Sequence, residues 1–150
     1  MALKPDRIED QTDISFFMNT TAERGGVVCV STVGSGVAMD DANAVVQYKA
    51  VASGGKPVGV LLNDVVNLDL TRQHINYHRD EVQIGGKVTI LQRGQVTTDL
   101  ISGTPTAGDA AYVGASGYLS PTQATGAVQV GRFLSTVDAD GFAKVSVNIV

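Results

Sequence analysis

The chain has no tryptophan, one cysteine, two histidines and four prolines in 150 residues, and aromatic side chains make up only 5% of it. Each shortage excludes something. A lone cysteine, Cys29, cannot close an intrachain disulfide. Set between valines in "GGVVCVSTV", it reads as a small buried hydrophobe whose apolar neighbours raise its pKa and leave it inert. The histidines, His74 and His78, fall in one stretch, "LTRQHINYHRDE". On one helical face they would supply half a metal site. There is no HExxH pattern and no second histidine pair to complete one, so no metal is expected. A Ser-His-Asp system would have to draw on the same two histidines, and no serine stands in a G-x-S-x-G context. Enzyme activity is therefore not expected, nor any cofactor. No apolar run reaches the roughly 20 residues of a membrane helix, and the charged start "MALKPDRIEDQTD" lacks the apolar stretch of a secretory signal. The net charge of −4, with only 17% charged residues and no Lys/Arg cluster, is not that of a nucleic-acid-binding surface.

What the chain has in plenty is glycine, 17 residues of it, placed between short segments rich in β-branched residues. "VVCVSTV" is bounded by "GG" and "GSG"; "KPVGVLLNDVV", "KVTILQRGQVTTDL", "DAAYVG", "GYLS", "GAVQVGRFLSTV" and "FAKVSVNIV" follow. Short strands at such spacing predict an all-β domain, a compact β-barrel or β-sandwich with at most one or two short helices. Within it, Arg93-Gly94 reads as a hairpin turn between two alternating runs, and "DG" at 140–141 as a second. "GSG" at 34–36 lacks the third glycine of a phosphate-binding loop. "DDANAVVQYKAVA" fits a helical period, but Val45, Val46 and Val51 favour a strand. Ser120-Pro121 offers the start of one helical turn. "PVGVLLNDV" (57–65) and "QVGRFLSTV" (129–137) share Val-Gly-x-x-Leu-x-x-Val, from similar strands or from chance in a Val- and Gly-rich chain.

Residues 1–26 differ from the β domain at 27–150. A charged leader is followed by a tight apolar group, Ile14, Phe16, Phe17 and Met18, and then by Arg24 in "ERGG". This reads as an extended N-terminal arm, since chain ends stay poorly ordered unless tied down. The phenylalanines either pack on their own domain or dock on a neighbour. The polar stretch at 67–86 carries Arg72, Tyr77 and Arg79, residue types enriched at binding hot spots. Together with the arm residues these are the candidate contacts with a capsid or another subunit.

"GTPTAGDAAYVGASGYLS" followed by "TGAVQVGRFLSTVDADGFAKVSVNIV" resembles the capsid decoration (cement) proteins of tailed bacteriophages. Gly108, Asp109, Tyr112, Gly117, Leu119, Gly131, Arg132, Gly141 and Val145 carry the match. "AERGGVVCV" and "KPVGVLLNDVV" are similar to that family's opening strands, so the resemblance spans roughly residues 22–150. The "VVNLDLTRQHINYHRDEVQIGG" insert departs from the minimal family pattern. The resemblance implies a structural virion protein with no active site. It would be made in the host cytoplasm and added as a homotrimer to the outside of the assembled head. Its partners would be the major capsid protein and its own copies, with neither nucleic acid nor membrane. A carbohydrate- or receptor-binding β module of a phage tail or surface structure is the second reading, weakened by the lack of tryptophan for a sugar platform.

Overall fold

The computed structural model describes residues 2–32, 45–66 and 82–149. The "GSG" at 34–36, His74 and His78 lie outside the described residues. The chain is all-β, as its glycine-bounded apolar segments predict. Twelve strands follow in order: β1 (Ile8–Asp13), β2 (Phe17–Met18), β3 (Val27–Thr32), β4 (Val45–Gln47), β5 (Pro57–Leu61), β6 (Val65–Val66), β7 (Val82–Gln83), β8 (Ile90–Thr98), β9 (Ala110–Val113), β10 (Leu119–Ser120), β11 (Gln129–Phe133) and β12 (Ala143–Asn148). Ten of them form one sheet along the path β10-β9-β11-β12-β8-β5-β3-β4-β2, with β1 added to β8; β6 and β7 form a separate parallel pair.

The longest strand organises this path. Residues 90–91 of β8 pair with β5, residues 93–98 pair with β12, and β1 runs along 90–95. A strand has two hydrogen-bonding edges. With β1 on one of them, β12 and β5 must share the other, end to end. The β1–β8 register shifts twice, at Asp10 on β1 and at Gln92 on β8, so alternation along β8 is broken where the two partners meet. Leu91 lies in the main core, and so does Val96, an odd spacing that unbroken alternation does not produce.

Arg93-Gly94, expected as a hairpin turn, is therefore the middle of a continuous strand. Gly94 pairs with Glu9 on one side and Val147 on the other. A Cβ there would stand 2.1 Å from the carbonyl oxygen of Ile8. Glycine in a strand interior marks a close backbone approach as often as a turn, and sequence alternation does not separate the two. The helical turn expected from Ser120 is also absent. Residues 121–128 are bends and turns, and the 3-10 turn lies earlier, at Ala115–Gly117. "DG" does make its turn: Gly141 has φ +88° and its N–H donates to Asp138 O, in the loop joining β11 to β12.

Alternation divides the buried residues between two faces. Val27 and Cys29 of β3 and Val60 of β5 enter one cluster with Leu3, Leu91, Val96, Leu119, Phe133 and Val145. Val28, Val46 and Leu61 enter the other with Met18, Val65, Val88 and Ile90. Cys29 is the buried hydrophobe expected, its thiol pKa raised by burial. The paired motif at 57–65 and 129–137 does not reflect equivalent packing. Val58 leans on the second cluster, Val130 belongs to the first, and Leu134 is exposed. Its glycines do share a role. A Cβ on Gly59 would meet Ile90 and Leu91, and one on Gly131 would lie 1.9 Å from Ser146 O.

The sheet does not close into a continuous ladder, but it curls until its ends meet. Ser116 N–H donates to Lys49 O at 2.7 Å. The ring of Tyr48 fills the space between Gly26 and Gly117, either of which would collide with it if it carried a Cβ. The Tyr48 hydroxyl donates to Glu23 O and accepts from Gly26 N–H. Burial pushes its pKa well above the ordinary tyrosine value.

Two stability predictions result. Gly131→Ala should cost at least about 2 kcal/mol through collision with the neighbouring backbone. Gly108→Ala, with open space around it but φ +95°, should cost only about 1 kcal/mol. Equal losses in urea melts would contradict this geometry. Tyr48→Phe should lose about 1–3 kcal/mol by leaving Gly26 N–H and Glu23 O without their partner.

Candidate functional site

The residues that carry the family resemblance are mostly punctuation. Gly108 donates its N–H to Phe133 O. The Asp109 carboxylate accepts from both the N–H and the hydroxyl of Thr106 at 2.9 Å, closing the turn before β9. Gly117 takes φ +82° beneath Tyr48. Leu119 and Val145 are core residues. Arg132 points outward from β11 and is exposed. The motif thus specifies turns and strand crossings.

Among the described strands of the ten-stranded sheet, β1 is the one whose second edge carries no partner. β10 is flanked by residues 100–102 through Leu119, and β2 by residues 85–88 through Met18 and Phe16. β1, "IEDQTD", is exposed along almost its whole length. Arg7 pairs with Glu9, and Arg93 with Asp10 at 3.4 Å. Charges on an open edge discourage unspecific pairing while leaving its N–H and C=O groups available to a matching strand. Beside it lies an open hollow of about 410 Å³ lined by Ile8, Asp10, Arg93, Gln95, Ser146 and Asn148. It is the polar outer face of β8 and β12, shallow and solvated.

The candidate contacts separate by burial. Met18 is fully buried within its own chain and Phe16 packs against the same cluster. Phe17 is half-buried, with Lys87 Nζ 5.7 Å from its ring centre. Ile14 is 61% exposed. Arg24 is half-buried, and its backbone N–H donates to the Asp64 carboxylate at 2.8 Å. Arg72, Tyr77 and Arg79 lie outside the described residues. Sequence reasoning missed the first residues of the arm. Ala2 and Leu3 are buried, Leu3 within the main core and paired with Thr98. Their apolar character was the signal, masked by the charged residues that follow.

Lys4 adds a surface contact to the arm's backbone pairing. Its Nζ lies 3.8 Å from Asp138 Oδ2 and 4.4 Å from the centre of the Phe142 ring. Asp138 also accepts from the N–H groups of Phe142 and Asp140, each at 2.9 Å. The Phe142 N–H foremost, with the Asp140 N–H and Lys4, holds the Asp138 carboxyl below its ordinary pKa. The Thr106 N–H and hydroxyl do the same for Asp109. A depressed folded-state pKa contributes stability that is full above the ordinary carboxylate value, about 4, and is lost as pH falls through the lower folded value. The stability deficit of Asp138→Asn or Asp109→Asn should therefore be largest near neutral pH and shrink at about pH 2. A deficit unchanged across that range, measured by denaturant titration, would show that the charge contributes nothing.

No curated protein matches the chain. A family model described as XM1 gp53 minor capsid protein matches residues 8–149, from the start of β1 to the residue after β12. The match covers nearly the whole chain, which therefore belongs to the XM1 gp53 minor capsid protein family and is a structural protein of the bacteriophage virion.

Proposed function

We propose that this protein is a decoration protein, binding the outside of the assembled phage head as a homotrimer and stabilising contacts between capsomers. The major capsid protein is its partner, and it joins the shell in the host cytoplasm during assembly. The observation that carries the reading is the unpaired outer edge of β1, flanked by exposed Ile8 and Ile14, on a member of a capsid family. An open edge accepts a strand from another protein through main-chain hydrogen bonds, with side chains setting specificity. A shell presents the same site many times, so a small symmetric oligomer gains avidity from several modest contacts. Binding the assembled shell but not its loose subunits stabilises the shell by mass action.

In this reading residues 1–26 act as the attachment arm, and Ile14 contributes the apolar contact that Met18, enclosed in its own core, does not offer. Arg72, Tyr77 and Arg79 serve as a second contact with the shell. Phe17 and Arg24, both half-buried, lie at the margin of the footprint.

Co-sedimentation with expanded heads lacking the protein is the test. Saturable binding that protects the heads against heat or chelator is expected. Ile14→Glu, at an exposed position, should melt like the parent yet bind roughly tenfold or more weakly, since covering an isoleucine contributes about 1.5–3 kcal/mol and 1.4 kcal/mol is tenfold. Absence of head binding by the parent protein, or its binding to a glycan array instead, would overturn the proposal.

A further inference from the structure

Residues 2–18 run as one antiparallel strip along residues 85–99. Leu3 pairs with Thr98, Ile8 with Gln95, Asp13 with Ile90 and Phe17 with Lys87. Main-chain bonds continue the strip at both ends, Asp99 N–H to Ala2 O and Gly85 N–H to Met18 O. Its two parts are held differently. From Phe16 onward the strip is fastened by side chains, with Met18 fully buried in the second cluster. From Ala2 to Asp13 it is held by backbone pairing, by the Leu3 anchor and by the Lys4–Asp138 contact.

Between these parts the strip has slack. Asp13 to Phe17 spans one residue more than the facing Lys87 to Ile90, so the link bulges outward. Ile14 in that link is the most exposed large hydrophobic residue among those described, and Ser15 beside it is also exposed. Almost no β1 side chain is buried, so moving β1 disturbs little packing. Without residues 2–13, β8 would present a bare edge and the main core would lack Leu3. The chemistry that fits this slot is specific: a strand in the same register, with a leucine placed to enter the core.

We infer that residues 2–13 are exchanged between subunits, each copy laying its arm along β8 of the next. The inference rests on the homotrimer reading. Exchange keeps every arm contact and changes only the link at Ile14 and Ser15, which is why it is an inexpensive route to an oligomer. A head-to-tail exchange repeated around a three-fold axis closes on itself, leaving no arm and no slot unused.

The experiment traps the pairing covalently in the full-length protein. Ile8→Cys and Gln95→Cys face each other across β1 and β8. The two single variants are refolded together at high concentration, their molecular weight is measured by light scattering, and they are then cross-linked with a short bismaleimide. Lys4→Cys with Asp138→Cys provides a second pair should the first disturb folding, which a cooperative melt checks. Exchange predicts two-chain products from the mixed single variants and multi-chain products from the double variant. A trimer that yields only one-chain products from the double variant and none from the mixture overturns the exchange while leaving the trimer intact. A protein that stays monomeric at high concentration overturns the exchange and any trimer of the free protein. Head binding, measured separately, does not depend on either outcome.

Discussion

Nearly everything in this fold depends on β8 sharing one edge between two partners. With β1 along one side, β12 and β5 divide the other, and the slip at Gln92 lets Leu91 and Val96 face the same core. Two groups of strands, β12-β11-β9-β10 and β5-β3-β4-β2, diverge from that edge. They must curl toward each other, because each has an apolar face to bury and the same cluster receives both. The contact of Ser116 with Lys49 and the enclosed ring of Tyr48 are where the curl ends. A slip in the register of β8 would undo all of this at once, since a shift by one residue carries a strand's whole apolar set to the wrong face.

The same arrangement makes the N-terminal segment both structural and available. It covers the second edge of β8 and supplies Leu3 to the core, yet its own outer edge stays open. Its attachment is mainly a ladder of backbone bonds, which any strand of the same register satisfies equally well. In the proposed role on a symmetric shell, such a segment is an advantage. Intramolecular pairing, pairing with a neighbour and strand addition draw on the same hydrogen-bonding geometry. Charged residues at Glu9, Asp10 and Asp13 limit unspecific association of that edge.

Cys29 and Asp109 illustrate how local chemistry serves the fold here. Burial raises the thiol's pKa and disfavours its thiolate, while the Asp109 carboxylate accepts from the Thr106 N–H and hydroxyl. The polar hollow over β8 and β12 is open and shallow, formed where strand side chains are short, at Ser146 and Gly94. These are the properties of a scaffold whose chemistry is spent on shape, in keeping with a capsid family.

The sequence by itself determined the all-β class, most of the strands and the turn at Asp140-Gly141, because these depend on β-branched content and on glycines at positive φ, both local properties. It also carried the family likeness, since Gly117 and Gly131 stand where a Cβ would collide, Gly108 takes a positive φ and Asp109 closes a turn with its carboxylate. Tertiary structure alone decided whether Gly94 was a turn or a crossing point. The answer lies in the carbonyl of Ile8, more than eighty positions away in the chain. It decided that Val58 and Val130, alike in sequence, face different clusters. It decided that Leu3 and Met18 are core while Ile14, equally apolar, is not. Burial belongs to the partner that arrives from elsewhere in the chain, and no pattern within the arm specifies which of its apolar residues that partner will cover.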